Sequence, residues 1–365
     1  MKIIYCGGGT SGHVSPAIAI KEAVDEYIGK HSALFIGREG GKENSAVIKA
    51  RIPIKTVKVI GLKRNLSLES LSAIKMAIAA KKEAASIIKN FGPDLVIGTG
   101  GYVCWPVLKA AKSLGIKTIL HESNAYPGLV VKLLSKKTDL TLLGIEDAKE
   151  ELGKKAKTVY VGNPVRKGFD QANREKARNE LGLRKNEILI LSFGGSNGSA
   201  RMNEIVIPFI TKNKNRNIRY IHATGRNNFD PLYENSKGEN VKIIPFFNNM
   251  EKILPAADLA ITRSGAMTLS ELSASGVGAI LIPSPNVTAD HQRKNAKAYE
   301  QKGAARVIDE EILSEKLLEK CIQEIIEDKE VLEKMRKNTA KLYNKDSKKL
   351  ISEQIKELIQ KAKST

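Results

Sequence analysis

Short β-branched runs recur along the chain, each closing on a turn and leading into a longer helical pattern, and the series restarts midway. "KIIYCGG", "ALFIGRE", "DLVIGTGG" and "KTILHES" form the first series; "ILILSFGG", "IRYIHATG", "VKIIPF", "LAITRSG" and "GAILIPS" form the second. Strands alternating with helices bury a parallel sheet on both faces, so the fold class predicted is α/β, two Rossmann-like domains in tandem. A length of 365 residues suits two ordinary cores with a cleft. "GGTSG" (Gly8 to Gly12) and "GGSNG" (Gly194 to Gly198) each follow an apolar strand and open a helix, which marks them as the first βα turn of each domain. Gly, Asn and Pro in "VGNPVRKGFD" (Val161 to Asp170) break the pattern before the charged helix "NREKARNELGL" and set the boundary. The expected domains are residues 1–163 and 164–345, with a helix over 346–365 packing back on the first. From Ile312 onward the Lys/Glu-rich sequence predicts a solvated amphipathic helix pair.

No apolar run approaches the roughly 20 residues that span a bilayer, and "MKIIYCGGG" is too short for a secretory signal. The expected location is therefore cytoplasmic, soluble or peripheral to a membrane. Cys6, Cys104 and Cys321 make neither a CxxC pair nor a disulfide framework and are read as reduced thiols. Lys plus Arg number 60 against 40 Asp plus Glu, a net charge of +20, which favours nucleic acid, phosphorylated ligands or an anionic membrane surface. Aromatics are only 5% and no nucleic-acid module is present, so nucleic acid is the least favoured of these. The chain has no D-x-D, H-E-x-x-H, Cys/His cluster or EF-hand loop, and no metal is implied.

Glycines at a strand-to-helix turn let backbone approach a ligand, and the N–H groups opening the helix attract an anion; phosphate is the default occupant. Gly7, Gly9 and Gly12 also satisfy G-x-G-x-x-G, a dinucleotide pattern that the second turn lacks, since Ser196 stands where its second glycine would be. Parallel sheets bind ligands beyond their strands' carboxyl ends. The expected site residues there are Tyr102 of "GTGGYVCWP" and Glu122 and Asn124 of "HESNAYPG". In the second half, "TRSGAMTLSEL" offers a helix start at Ser264 to Ala266, with Glu271 seven residues after Ser264 on the same helical face and placed to bind ribose hydroxyls. Asp290, His291, Gln292 and Asn295 have the reach to hydrogen-bond a sugar. His13, inside a helix-opening turn, is expected to serve a ligand or catalytic role, whereas His121 and His222 read as structural and His31 as a surface residue.

Taken together, "GGTSGHVSPAIA", "GTGGYV", "HESNAYPG", "GNPVR", "GGSNGSARMN", "RSGAMTLSEL" and "DHQRKNA" stand in one order between residues 8 and 296. In these motifs the chain resembles the MurG family of peptidoglycan glycosyltransferases. The resemblance implies a GT-B fold and transfer of N-acetylglucosamine from UDP-N-acetylglucosamine (UDP-GlcNAc) to the C4 hydroxyl of the N-acetylmuramoyl moiety of lipid I, forming lipid II, with inversion and no essential metal or other cofactor. By motif position it implies donor contacts from Arg166, Ser196 and Asn197 near the diphosphate and from Phe246 and Phe247 beside the uracil. Ala266, Met267 and Thr268 would bind phosphate, Glu271 ribose, and His291 and Gln292 the sugar. The implied acceptor contacts are Thr10, Ser11, Gly12, His13, Tyr102, Glu122 and Asn124. The sequence departs from the family at Cys104 and Trp105, where a Ser-Gly pair is common, and at Val131, where Asn is usual. Expected partners are UDP-GlcNAc, lipid I, anionic phospholipid at the cytoplasmic face of the cell membrane, and other cell-wall synthesis proteins, with no nucleic acid.

Either His13 or Glu122 has a suitable group to act as base on the acceptor hydroxyl, and His13 is favoured because histidine ordinarily titrates near neutrality. "LESLSAIKMAIAAKKEAASIIKNF" places Leu71, Ile74, Ile78, Ala85 and Ile88 on one stripe flanked by Lys75, Lys81, Lys82 and Lys89, a candidate membrane-resting helix whose other reading is an ordinary core helix. Competing functions are a diacylglycerol glycosyltransferase, a UDP-GlcNAc epimerase, a non-catalytic basic membrane-surface protein and a dinucleotide oxidoreductase.

Overall fold

The computed structural model describes residues 1–9, 11–41, 44–60, 68–169, 173–195, 198–232, 240–287 and 290–363. The chain divides into two compact units, Met1–Arg166 with Asn344–Thr365, and Lys167–Tyr343. In the first, β1 (Lys2–Cys6), α1 (Ser11–Tyr27), β2 (Ser32–Arg38), α2 (Asn44–Lys49), β3 (Ile54–Val57), α3 (Leu68–Phe91), β4 (Leu95–Gly98), α4 (Cys104–Ser113), β5 (Lys117–Glu122), α5 (Leu129–Leu134), β6 (Leu140–Leu143), α6 (Ala148–Leu152) and β7 (Thr158–Tyr160) alternate. The second runs α7 (Arg174–Glu180), β8 (Ile188–Phe193), α8 (Ala200–Lys212), β9 (Ile218–Ala223), β10 (Val241–Ile244), α9 (Met250–Ile253), β11 (Leu259–Thr262), α10 (Ala266–Ser275), β12 (Gly278–Leu281), α11 (His291–Gln301), β13 (Ala305–Val307), α12 (Glu315–Ile326) and α13 (Lys329–Lys341). α14 (Ser347–Lys363) belongs to the first unit.

Both sheets are parallel, in the orders β3-β2-β1-β4-β5-β6-β7 and β10-β9-β8-β11-β12-β13. Each order reverses direction once, between β1 and β4 and between β8 and β11, and a doubly wound sheet opens its ligand crevice at that reversal. The two glycine turns of the sequence follow β1 and β8, so both stand at switch points. The strands are apolar on both faces: Ile3, Tyr5, Leu95 and Ile97 pack on one side of the first sheet, and Ile4, Cys6, Val96 and Leu120 on the other. Each such aliphatic side chain contributes about 1.5–3 kcal/mol by leaving water.

Three expectations are corrected. The stretch after Ile312 forms three helices, not a solvated pair. Leu318, Ile322, Ile325, Leu332 and Met335 are buried in the second core, and Ile351 and Ile355 of α14 lie in the first core with Val14, Ala17 and Ile18 of α1. His31 is not a surface residue: its imidazole has 0% exposure, with Nε2 2.9 Å from Tyr5 Oη and Nδ1 3.0 Å from Asp25. The α3 stripe is not one face. Ala80, Ala84 and Ile88 form the buried row, whereas Ile78 is 51% exposed, because it lies about 120° around the helix from Ala84 at the middle of that row. The side chains of Leu71 and Ile74 lie outside the described residues.

Candidate active site

In the first unit two glycine turns meet at the switch point. Thr99, directly after β4, donates its N–H to Cys6 O (2.9 Å) and its hydroxyl to His13 O (2.6 Å), so the first turn of α1 is stitched to the end of β4. The turn is too tight for side chains: a Cβ on Gly7 would lie 2.6 Å from Thr99 Oγ1, and Gly9, at φ +93°, packs against the Tyr102 ring. His13 lies against the opposing turn, its Cδ2 2.7 Å from where a Gly100 Cβ would stand, and its Nδ1 is 3.2 Å from Gly8 O. A carbonyl oxygen only accepts, so the proton sits on Nδ1 and the ring's lone pair on Nε2. His13, Tyr102 and both glycine turns are therefore brought together. Thr10 lies outside the described residues; Ser11 and Gly12 are the first residues of α1.

Glu122 closes β5 and is buried. Its Oε1 accepts from the Asn124 N–H and side-chain amide (2.8 Å each), and its Oε2 from the Gly128 N–H (3.1 Å). Burial pushes its carboxyl above the ordinary range, and these amides oppose that. Both oxygens thus hold the 122–128 loop together. Cys104 is buried with its Sγ 3.8 Å from that of Cys6 and 3.0 Å from Gly100 O, filling space behind the turns, and Trp105 packs partly on the same core.

In the second unit, α10 starts at Ala266 behind Gly265, whose backbone is extended. Ala266 and Met267 are buried, and Thr268 and Glu271 are half-buried on the same helix. Ser264 precedes the helix, so the shared-face argument pairing it with Glu271 is corrected: its hydroxyl donates to Gln292 O (2.7 Å) and its own carbonyl accepts from Asn295 Nδ2 (3.2 Å). Those bonds dock α11, which begins at His291, against the start of α10. Gln292 Oε1 accepts from the Ser284 N–H (2.9 Å), so the amide's oxygen end is the one tied to the loop before α11. Asp290, at φ +52°, forms the left-handed residue before α11. Phe246 carries the Arg226 guanidinium 4.7 Å from its ring centre, while Phe247 is buried edge-on to Phe193 at 5.9 Å. Ser196 and Asn197 lie outside the described residues, and Arg166 is the last residue of the first unit's opening segment. Sequence reasoning missed Thr99 and also Arg263, which donates to Ser199 Oγ (2.6 Å) at the start of α8 and pairs with Glu310. An Arg directly after an apolar strand and before "SG" was the available signal.

His121 and His222 are fully buried and stay neutral, desolvation pushing each down to about 4. In the unfolded chain they titrate near 6.5, so between pH 6.5 and 4 the unfolded state binds protons that the folded state refuses. Stability from this source is complete above pH 6.5 and is lost as pH falls through 4, about 3 kcal/mol per histidine. Urea midpoints are expected to fall over that window, and His222→Gln should remove one histidine's share of the slope; a pH-independent midpoint would contradict it.

The glycosyltransferase family 28 N-terminal domain model matches residues 3–142, and the family's C-terminal domain model matches residues 189–355. An enzyme from Thermoanaerobacter sp. (strain X514), the UDP-N-acetylglucosamine–N-acetylmuramyl-(pentapeptide) pyrophosphoryl-undecaprenol N-acetylglucosamine transferase, is 40% identical over 98% of this chain and 100% of its own. The enzyme of that name from Acetivibrio thermocellus is 41% identical over 98% of both chains. The fold matches the crystal structure of Acinetobacter baumannii MurG at a TM-score of 0.77 and 24% identity, covering 98% and 99% of the two chains. A Staphylococcus aureus MnaA–UDP structure matches at 0.68 and 14%. Two parallel-sheet units of the GT-B class, with family matches in each, make the chain a member of glycosyltransferase family 28, in the branch of the MurG transferases.

Proposed function

We propose that the chain transfers N-acetylglucosamine from UDP-GlcNAc to the muramoyl C4 hydroxyl of lipid I, giving lipid II for peptidoglycan synthesis. One observation carries the reading: both units match family 28 along a chain covered end to end by MurG-named relatives, and each unit presents its glycine turn at its sheet's switch point. The reaction is a single displacement. The acceptor oxygen attacks C1 of the donor sugar, UDP leaves from the opposite face, and the configuration inverts. His13 Nε2 takes the hydroxyl proton as the bond forms. Tyr102 and the Glu122–Asn124 loop line the acceptor side.

On the donor side, Glu271 accepts from the ribose hydroxyls, Phe246 flanks the base, and Gln292 and His291 hold the sugar. The N–H groups opening α10 face the diphosphate and stabilise its growing charge, with no metal required. Radiolabelled transfer to a short-chain lipid I analogue with chelator present tests all of this: disaccharide product is expected, and UDP-sugar epimerisation without acceptor would replace the reading.

The enzyme works at the cytoplasmic face of the membrane that holds its acceptor. Among the described residues no helix is long and apolar enough to cross a membrane. Lys81, Lys109 and Lys137 approach closely enough that burial and mutual repulsion lower the Lys109 ammonium. Ile78 of α3 and Leu129 and Leu133 of α5 are exposed on the two helices that pack on α4. Cations beside exposed aliphatics suit an anionic lipid surface. Changing the three lysines to glutamate is expected to reduce binding to phosphatidylglycerol vesicles at low salt by about tenfold or more, at about 1 kcal/mol per cation; unchanged binding would remove this surface.

A further inference from the structure

Three polar side chains run through the apolar interior of the second unit: Ser192 of β8 and His222 of β9 at 0% exposure, and Asn203 of α8 at 8%. Their direction is fixed from one end. Thr224 O, a carbonyl, only accepts, so the group 3.0 Å from it is the Asn203 NH2, and Asn203 Oδ1 points to His222 Nε2 at 3.1 Å. Nε2 therefore carries the ring proton, and Nδ1 accepts from the Ser192 hydroxyl at 2.7 Å. Every bond in the relay has a single polarity, running from Ser192 through His222 and Asn203 to the Thr224 carbonyl.

That carbonyl is where the relay meets the glycine turn. Gly198, at φ +75°, lies so close that a Cβ would overlap Thr224 O and stand 2.8 Å from Gly225 Cα. Asn203 donates its backbone N–H to Ser199 O (3.0 Å), and Ser199 caps α8 by accepting from the Met202 N–H while Arg263 holds its hydroxyl from the other side. Apolar side chains would fill the same volume without orienting Thr224; a satisfied polar chain in low dielectric selects one arrangement.

We propose that His222, held in the Nε2–H form between Ser192 and Asn203, is a positioning residue that fixes the Thr224 carbonyl against Gly198 and Ser199, the described residues leading into α8, and so sets the start of that helix toward the donor's diphosphate. The inference rests on the donor-site reading above. Placement errors near 1 Å cost about 100-fold at such sites, so His222→Leu and Asn203→Asp are expected to weaken UDP binding to the full-length protein by about tenfold or more. In Asn203→Asp a carboxylate oxygen would face the Thr224 carbonyl. His222→Gln, which still accepts from Ser192 and donates to Asn203, should stay within about threefold of the parent.

Calorimetric titration with UDP reads these, and the acceptor KM should not move. Ring 13C and 15N shifts should report the Nε2–H tautomer of His222. Unchanged UDP affinity in Asn203→Asp and in a folded His222→Leu overturns the inference, as does an Nδ1–H tautomer. If His222→Leu does not fold, Ser192→Ala decides: a lowered melting temperature with unaltered UDP affinity assigns the relay to stability alone. A parent protein that binds no UDP removes the donor-site reading instead.

Discussion

Replacing His13 with alanine is expected to lower turnover by about 10²–10⁴-fold while UDP binding stays at the parent level, the range that a positioned proton acceptor contributes. The geometry supports this in two ways. The Gly8 carbonyl at 3.2 Å holds the proton on Nδ1 and so keeps the lone pair on Nε2, and the Gly100–Gly101 turn leaves the ring no room to swing that way. Glu122 is the other carboxylate or imidazole at these strand ends proposed as base, but three hydrogen bonds from the 124–128 loop occupy its oxygens. Steady-state turnover with a soluble lipid I analogue, beside calorimetry with UDP, separates the roles. A variant retaining near-parental turnover would dismiss His13 as the base.

Gly101→Ala is expected to be comparably damaging through backbone alone. Its φ is +79°, a conformation costing a side chain about 1–2 kcal/mol, and its Cβ would overlap Gly8 O and stand 3.0 Å from His13 Nδ1. The obstacle is backbone, so the glycine turn carrying His13 must move. A shift near 1 Å costs about 100-fold in rate. Gly115→Ala provides the comparison, since φ there is +74° with nothing within 4 Å: it should lose about 1–2 kcal/mol of stability and keep its activity. Equal activity of the two variants would show that the contact with Gly8 does not govern the site.

The strands that sequence reading found are those with apolar runs that close on a turn, because a strand buried on both faces leaves that trace. β3, β6, β7 and β13 escaped it, β6 because its four residues inside the sheet are too few to show a period. β3, β7 and β13 are edge strands of 4, 3 and 3 residues in which partly or fully exposed positions interrupt the apolar pattern. The turn glycines and His13 were legible because backbone crowding permits few residue types there. Ser264 was misread because the start of α10 is set by the extended backbone of Gly265, a conformation that composition does not reveal. The roles of Asn203 and Thr99 depend on partners 21 and 86–93 residues away, and no local pattern encodes those.

α14 completes the first unit from far along the chain: the Ser352 hydroxyl donates to Ala23 O, 329 residues apart in sequence. At a synthesis rate of about 5–20 residues per second, α1 waits on the order of tens of seconds for its covering helix. Through that interval the flank of α1 that will meet Ile351 and Ile355 stays wet and adhesive. The first unit therefore closes its core only when a segment from beyond the second unit arrives, whereas the second unit is contiguous in sequence and closes its own.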